Sequence, residues 1–238
     1  MATRINPGAA REMLAFDGAC LVLDPGMPPT KPLWLGLSAG DLVLIDATDG
    51  DRVAAFADAA VGLTPPAGGH VRFLGRSWSD LDADASNAMR GRIGRLVGHG
   101  GWIEYLSVRD NMLLGQLHHT NRRESLLMDD AARVSRLFGL PGIPLARPAD
   151  LNEGDLHRAG LVRAFIGRPQ LILLERPTQF LYPEIMEPLI NAIRSARDRG
   201  AAVLWLTLDP NVWRDASVPT TRRLRLIGGE LFEGQRAS

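Results

Sequence analysis

The sequence predicts an α/β fold, and three observations point to it. Short apolar runs bounded by turn residues alternate with stretches whose apolar residues recur at three and four spacing, as strands and helices do. Between the predicted strands at 95–98 and 171–174 the pattern is almost entirely helical. The length of 238 residues suits one large domain, at about 150 residues per domain, with a helical segment inserted in it.

The predicted strands are apolar runs such as DLVLID and LILL. They lie at 21–24, 41–46, 70–75, 95–98, 171–174, 202–207 and 223–232. Gly228 and Gly229 divide the last run and predict a hairpin. The helical periodicity predicts helices at 52–63, 84–93, 107–118, 125–139, 155–167 and 184–198.

Composition limits the class of protein. The chain carries 27 Lys+Arg and 27 Asp+Glu, whereas nucleic-acid binding usually goes with an excess of basic residues. Its longest apolar stretch, 201–208, is far shorter than the roughly 20 residues of a membrane-spanning helix. Cys20 is the single cysteine, which fits a reducing compartment. We therefore expect a cytoplasmic protein that binds no nucleic acid and reaches a membrane only through a partner.

The most informative segment is GDLHRAGLVRAFIGRPQLILLERP at 154–177. It combines an apolar-faced helix, a Gly-Arg-Pro turn and a buried strand that ends in Glu175 and Arg176. This arrangement resembles the stretch from the signature motif to Walker B in ATP-binding cassette (ABC) ATPases, where the pattern is close to LSGGQ, a helix, four apolar residues and DEP. The signature position here is occupied by Leu151, Asn152, Glu153, Gly154 and Asp155.

Further segments follow in the order of that family. SAGDLVLID (38–46) is similar to the strand before the phosphate loop, RIGRLVGHGGWIEYLSVRDNMLLG (92–115) to the Q-loop region, and AVLWLTLD (202–209) to the switch-histidine strand. The resemblance covers about residues 12–235. It implies a P-loop NTPase-like ABC nucleotide-binding domain with an antiparallel β edge subdomain, spanning 1–238, and a helical subdomain at about 99–165.

The phosphate loop departs from the family pattern. Counting back from the Val-Gly-Leu at 61–63, the positions of GxxGxGKS are taken by Ala47, Thr48, Asp49, Gly50, Asp51, Arg52, Val53 and Ala54. In such a loop the glycines let backbone N–H groups approach phosphate, the Lys neutralises it and the Ser or Thr holds Mg²⁺. Val53 replaces that Lys and Ala54 that Ser, while the carboxylates of Asp46, Asp49 and Asp51 would repel a polyphosphate. A shift of one residue would instead put Arg52 in the Lys position. We expect no cofactor, with weak binding of ATP and Mg²⁺ as the alternative.

The catalytic positions depart as well. Glu175 stands at the Walker B Asp, where it is a residual candidate for Mg²⁺, and Arg176 stands at the catalytic Glu. A guanidinium cannot accept the proton of the attacking water. Gly98 replaces the Q-loop Gln, Tyr182 the D-loop Asp and Leu208 the switch His. We predict that none of these positions is catalytic.

Plain structural roles account for several of the same residues. Arg176 suits an ion pair at a surface or interface. Glu153 and Asp155 are favourable in the first turn of a helix, which Asn152 would cap. The five histidines have no spacing typical of a metal site.

Trp102, Ile103 and Tyr105 form an apolar, aromatic cluster after the Q-loop position. In the family this region docks on the membrane subunit, which makes the cluster a candidate partner surface. Burial in the core is the alternative.

Three functions fit these observations. The first is a catalytically degenerate subunit with a structural or regulatory role in an ABC transporter, bound to a permease at the inner membrane. It would form a homodimer, or a heterodimer with an intact ABC ATPase. The second is a divergent ATPase that uses Arg52 and Glu175. The third is a stand-alone binding module that reuses the nucleotide cleft. HGGWIEYLSVRDN (99–111) also faintly resembles the lipid-transport ABC ATPases of the mammalian-cell-entry type.

Overall fold

The computed structural model of the protein describes residues 11–47, 50–98 and 101–234. Its strands are β1 (Glu12–Cys20), β2 (Leu33–Ser38), β3 (Leu42–Ala47), β4 (Gly68–Phe73), β5 (Arg76–Ser77), β6 (Ile93–Leu96), β7 (Leu171–Glu175), β8 (Ala202–Thr207), β9 (Arg222–Ile227) and β10 (Glu230–Glu233). Its α-helices are α1 (Gly50–Ala60), α2 (Ala83–Arg90), α3 (Val108–His119), α4 (Glu124–Leu137), α5 (Glu153–Phe165), α6 (Met186–Asp198) and α7 (Pro210–Arg214). Within these ranges no helix combines the length and the apolarity needed to cross a membrane.

The strands form two sheets. The smaller sheet is antiparallel and has the order β2-β1-β4-β5. The larger has the order β10-β9-β3-β8-β7-β6 and is parallel except for the β9–β10 hairpin. The carboxyl ends of its parallel strands therefore meet at one edge.

The central strands of the larger sheet, β3, β7 and β8, are buried on both faces, which explains their mostly apolar residues. In β3, Leu42 and Leu44 pack into the core formed with α3 to α6. Val43 and Ile45 pack on the opposite face, into the core shared with α1 and the smaller sheet. The two cores sit back to back across one sheet, and this rigid layer positions the loops at its edge.

The helices α3, α4 and α5 lie between β6 and β7 in the chain and pack on one another. Helix α5 also lies directly against β6. A side chain at Gly94 would place its Cβ only 1.8 Å from the carbonyl oxygen of Ala164, so this contact requires glycine.

Most predicted elements are confirmed, including the hairpin at Gly228 and Gly229. The strand predicted at 21–24 is wrong, because those residues form a loop after β1. Strands β1 and β2 had not been predicted. Gly18, with a φ of 60°, interrupts the β1 register between Asp17 and Ala19, and such a bulge breaks the alternation that marks a strand.

Candidate functional site

The candidate site lies at the carboxyl ends of β3 and β7, where open α/β sheets bind their ligands. Strand β3 ends at Ala47 and α1 begins at Gly50, so a strand and a helix flank the residues predicted to form a phosphate loop. Thr48 and Asp49 lie outside the described residues, and no side chain is described for Gly50 or Asp51.

The two residues that follow in α1 face different surroundings. Val53 is 1% exposed and belongs to the core on the α1 side of the sheet. Arg52 forms a two-bond ion pair with Asp24 in the loop after β1, with an Nη2–Oδ2 distance of 2.8 Å and an Nε–Oδ1 distance of 3.2 Å. This pair connects α1 to the loop after β1. It also occupies the Arg52 guanidinium, which would bind phosphate if the sequence were shifted by one residue against the family pattern.

An ionic network, Asp58–Arg95–Glu175, joins α1, β6 and β7. The Nε of Arg95 donates to Oε1 of Glu175 at 2.7 Å, and its Nη1 lies 2.7 Å from Oδ1 of Asp58. Glu175 is 1% exposed, and its second oxygen accepts from the backbone N–H of Gly98 at 3.2 Å. Burial raises the pKa of Glu175, and the charge and hydrogen bond of Arg95 act against that rise.

Gly98 and Arg176 fit each other sterically. Arg176 has a φ of 50°, and its Nη2 donates to the carbonyl oxygen of Gly98 at 3.3 Å. A Cβ at position 98 would lie 3.1 Å from that Nη2 and 3.2 Å from Nε. The glycine therefore leaves the space that the guanidinium occupies.

Solved structures share this architecture closely. The dimeric structure of a post-hydrolysis state of the ATP-binding cassette MJ0796, bound to ADP and phosphate, matches with a TM-score of 0.82 over 94% of this chain and 98% of that chain, at 21% sequence identity. The structure of the ATP-binding subunit of an ABC transporter matches with a TM-score of 0.79 over 92% of this chain and 88% of that one, at 16% identity. The fold is that of an ATP-binding cassette.

Sequence similarity points the same way, although no family model matches the chain. It is 27% identical over 200 residues to the phosphonates import ATP-binding protein PhnC 2 of Synechococcus sp., covering 81% of this chain and 74% of that protein. It is 27% identical over 183 residues to the probable ribonucleotide transport ATP-binding protein mkl of Mycobacterium leprae, covering 76% and 52%. The macrolide export ATP-binding/permease protein MacB of Escherichia coli O157:H7 is 27% identical over 208 residues, covering 87% and 31%. The chain thus spans about half of mkl and about a third of MacB.

The residues predicted at the signature position, 151–155, lie at the start of α5. Asn152 caps this helix by accepting from the N–H of Asp155 at 2.8 Å, which confirms the predicted cap. Glu153 and Asp155 lie in the first turn, and Asp155 is 4.0 Å from Arg158. Leu151 and Gly154 are half-buried. The described polar contacts of Asn152 and Asp155 are thus internal to the helix, while Leu151 packs partly against the helical core.

Three further residues that the sequence predicts at cassette positions have different surroundings. Leu208 follows β8 and packs partly against the core on the α1 side. Tyr182 is exposed, in the segment between β7 and α6. Ala54 is half-buried in α1.

The aromatic cluster after the Q-loop position is split by the fold. Trp102 packs partly against the helical core, with the guanidinium of Arg163 4.6 Å from its ring centroid. The N–H of Ile103 donates to Oδ1 of Asn111 at 2.7 Å. Tyr105 is 76% exposed. Of the three predicted partner residues, Tyr105 is the one that presents most of its side chain at the surface.

The side chains of the site do not fit Mg²⁺ and a nucleotide phosphate. Val53, which the sequence predicts at the Lys position, is buried, and Ala54, predicted at the hydroxyl position, has no polar side-chain atom. Both oxygens of Glu175 already accept hydrogen bonds. Asp46, at the end of β3, is half-buried and lies 3.4 Å from Arg225. Burial raises its pKa despite that arginine. In the part of the chain that the structure describes, no three His, Cys, Asp or Glu side chains gather as ligands for a metal.

Sequence reasoning missed Asp58 and Arg95, which complete the network around Glu175. One signal was available. Arg95 stands in the short apolar run of a strand that must be buried, and a buried cation requires an acidic partner.

Proposed function

We propose that the chain is a catalytically degenerate cassette subunit with a structural or regulatory role in an ABC transporter. The observation that carries this proposal is the network Asp58–Arg95–Glu175, in which an arginine holds the carboxylate at the Walker B position. A divalent cation would have to displace that guanidinium from a buried site. Together with the valine at the Lys position, this favours a subunit that neither loads Mg-ATP nor hydrolyses it.

The partners follow from the relatives. Two of those described above are import or transport ATP-binding proteins, and a third is an ATP-binding/permease protein. We infer that this chain pairs with a permease, lies at the inner membrane through it and dimerises with a second cassette, either its own copy or an intact one. Residues 99–165, which contain α3 to α5, would be the helical subdomain. The faint resemblance of 99–111 makes a lipid transporter the first system to examine.

The alternative of a divergent ATPase is less favoured by the contacts. It relies on Arg52 to neutralise phosphate, and Arg52 is bound to Asp24. It also relies on Glu175 to hold Mg²⁺, and that carboxylate is bound to Arg95.

Restoring the missing chemistry tests the proposal. We would combine Val53→Lys, Ala54→Ser and Arg95→Met and titrate Mg-ATP by calorimetry. The wild type should show no binding, and the variant should bind in the micromolar to millimolar range, because each charge-assisted hydrogen bond adds about 1.5–3 kcal/mol. It should not hydrolyse ATP while Arg176 remains.

The matched control carries the first two substitutions and keeps Arg95. It should bind more weakly than the triple variant. Circular dichroism checks that each form is folded before its titration is compared. Turnover by the wild type near 1 per second that Glu175→Ala abolishes would contradict the proposal. Copurification from native membranes should identify a permease.

A further inference from the structure

A cavity of about 230 Å³ lies at the outer edge of the larger sheet. Strand β6 ends that sheet and pairs there only with β7, so the cavity opens beside β6, between the end of α2 and helices α3 and α5. Among the described residues that line it, Arg90, Arg95, His119 and Arg163 are basic and none is acidic.

Two of these arginines are held by neutral groups. The Nε and Nη2 of Arg90 donate to the carbonyl oxygens of Val61 and Gly62 at 3.1 and 2.6 Å, and its guanidinium lies 5.5 Å from the ring centroid of Trp78. Arg163 donates to the carbonyl oxygen of Gly101 and stacks on Trp102. These contacts fix both side chains without neutralising their charge.

Arg95 has a different arrangement. Its Nε and Nη1 bind the network carboxylates Glu175 and Asp58, and its Nη2 makes neither contact. Arg95 thus joins the network to the cavity.

The like charges around the cavity repel one another. Burial, with the charge of Arg95, lowers the pKa of Arg163 to about 10. Burial also lowers the pKa of His119, and the charges of His118 and Arg90 add to that effect. An anion between these groups would oppose the charge repulsion that adds to the effect of burial in both shifts.

We propose that this cavity binds an oxyanion, the phosphate or carboxylate group of a ligand, between Arg163, Arg90 and Arg95. The planar guanidinium matches both groups with paired N–H donors. The volume suits one such group, whereas pockets for whole drug-sized ligands span about 300–1,000 Å³. The source is a free phosphate ion or the acidic side chain of a partner segment that lies along β6.

Calorimetric titration with two probes separates these sources. The first probe is inorganic phosphate. The second is glutamate blocked at its amino and α-carboxyl groups, so that only the side-chain carboxylate remains. Tighter binding of phosphate supports a free ion, and tighter binding of the blocked glutamate supports a partner side chain. If neither probe binds, the proposal is overturned.

Variants locate the binding. Arg163→Gln should weaken the binding of the preferred probe at least tenfold. Arg133→Gln, on the exposed side of α4 and away from the cavity, should leave it unchanged. Equal binding by wild type and Arg163→Gln would overturn the proposal.

A measurement on the unmodified chain covers the case in which Arg163→Gln does not fold. The pKa of His119, followed by NMR, should rise when the probe is added, because a nearby anion favours the imidazolium. An unchanged His119 pKa at saturating probe would refute the site. None of these readouts uses nucleotide, so their outcome is independent of the test of the subunit's role.

Discussion

Replacing Arg95 with Met should destabilise the protein strongly at neutral pH. The methionine keeps much of the apolar stem but removes the cation between Asp58 and Glu175. Asp58 is partly exposed, so water can hydrate its carboxylate in the variant. Glu175, 1% exposed, keeps one donor among the described residues, the N–H of Gly98.

The expected loss follows from the two responses open to Glu175. Breaking a buried ion pair by removing one partner costs about 3–5 kcal/mol. The carboxyl can instead take up a proton. From its ordinary pKa of 4.5, protonation at pH 7 costs about 3.4 kcal/mol, at about 1.36 kcal/mol per pH unit. Because the protein adopts the cheaper response, we expect the free energy of unfolding to fall by about 3–4 kcal/mol.

Urea denaturation of wild type and variant at pH 7 and pH 5 measures this loss. A raised pKa in the folded state means that stability is retained at low pH and lost as the pH rises toward that pKa. The cost of Arg95→Met should therefore shrink to about 1 kcal/mol at pH 5, where protonation itself costs less.

The matched controls use Glu175→Gln. This change alone should cost about 1–2 kcal/mol, because Arg95 keeps Asp58 and the amide oxygen still accepts a hydrogen bond. In the Glu175→Gln background, Arg95→Met should cost much less than in the wild type. A loss below about 1 kcal/mol at pH 7, or an equal loss in both backgrounds, would refute the role assigned to the network.

Three further outcomes are expected from urea denaturation. Burial lowers the pKa of His157 below 6.5, so the free energy of unfolding of the wild type should decrease as the pH falls below 6.5. His157→Gln should remove that part of the pH dependence, and an unchanged pH profile in the variant would contradict this role. Tyr105→Ala should cost less than about 0.5 kcal/mol because its side chain is 76% exposed, whereas Trp102→Ala should cost about 2–3 kcal/mol; equal losses would place both residues in the core. Arg52→Gln should cost about 1 kcal/mol at low salt and less at 1 M salt, since the pair with Asp24 is partly exposed; a loss that salt does not change would show that packing, not charge, is what Arg52 contributes.

The fold was predictable because its elements have strong local patterns. The central strands of the larger sheet, β3, β7 and β8, are buried on both faces and form nearly continuous apolar runs in the sequence. Gly228-Gly229 indicates a hairpin on its own. Strand β1 was missed because Asp17 and Gly18 interrupt its run of apolar residues. Its pairing with β2 and β4, which lie further along the chain, leaves no local pattern in the sequence.

The site was predictable in part. The positions of Val53 and Glu175 follow from counting along the sequence. The contacts of Glu175 do not, because Arg95 lies 80 positions away and meets it only after β6 pairs with β7. The charged and polar groups around Glu175 could therefore be identified only from the structure.

The fit between Gly98 and Arg176 restricts how a sequence like this one can change. A glutamine at position 98 would have to enter space that the Arg176 guanidinium holds, beginning at a Cβ 3.1 Å from Nη2. Glutamate at position 176 would first clear that space. Introducing the two residues should therefore be easier in one order than in the other. A side chain at position 98 alone requires the Arg176 guanidinium to shift by a few tenths of an ångström, and a prior change at position 176 removes that requirement.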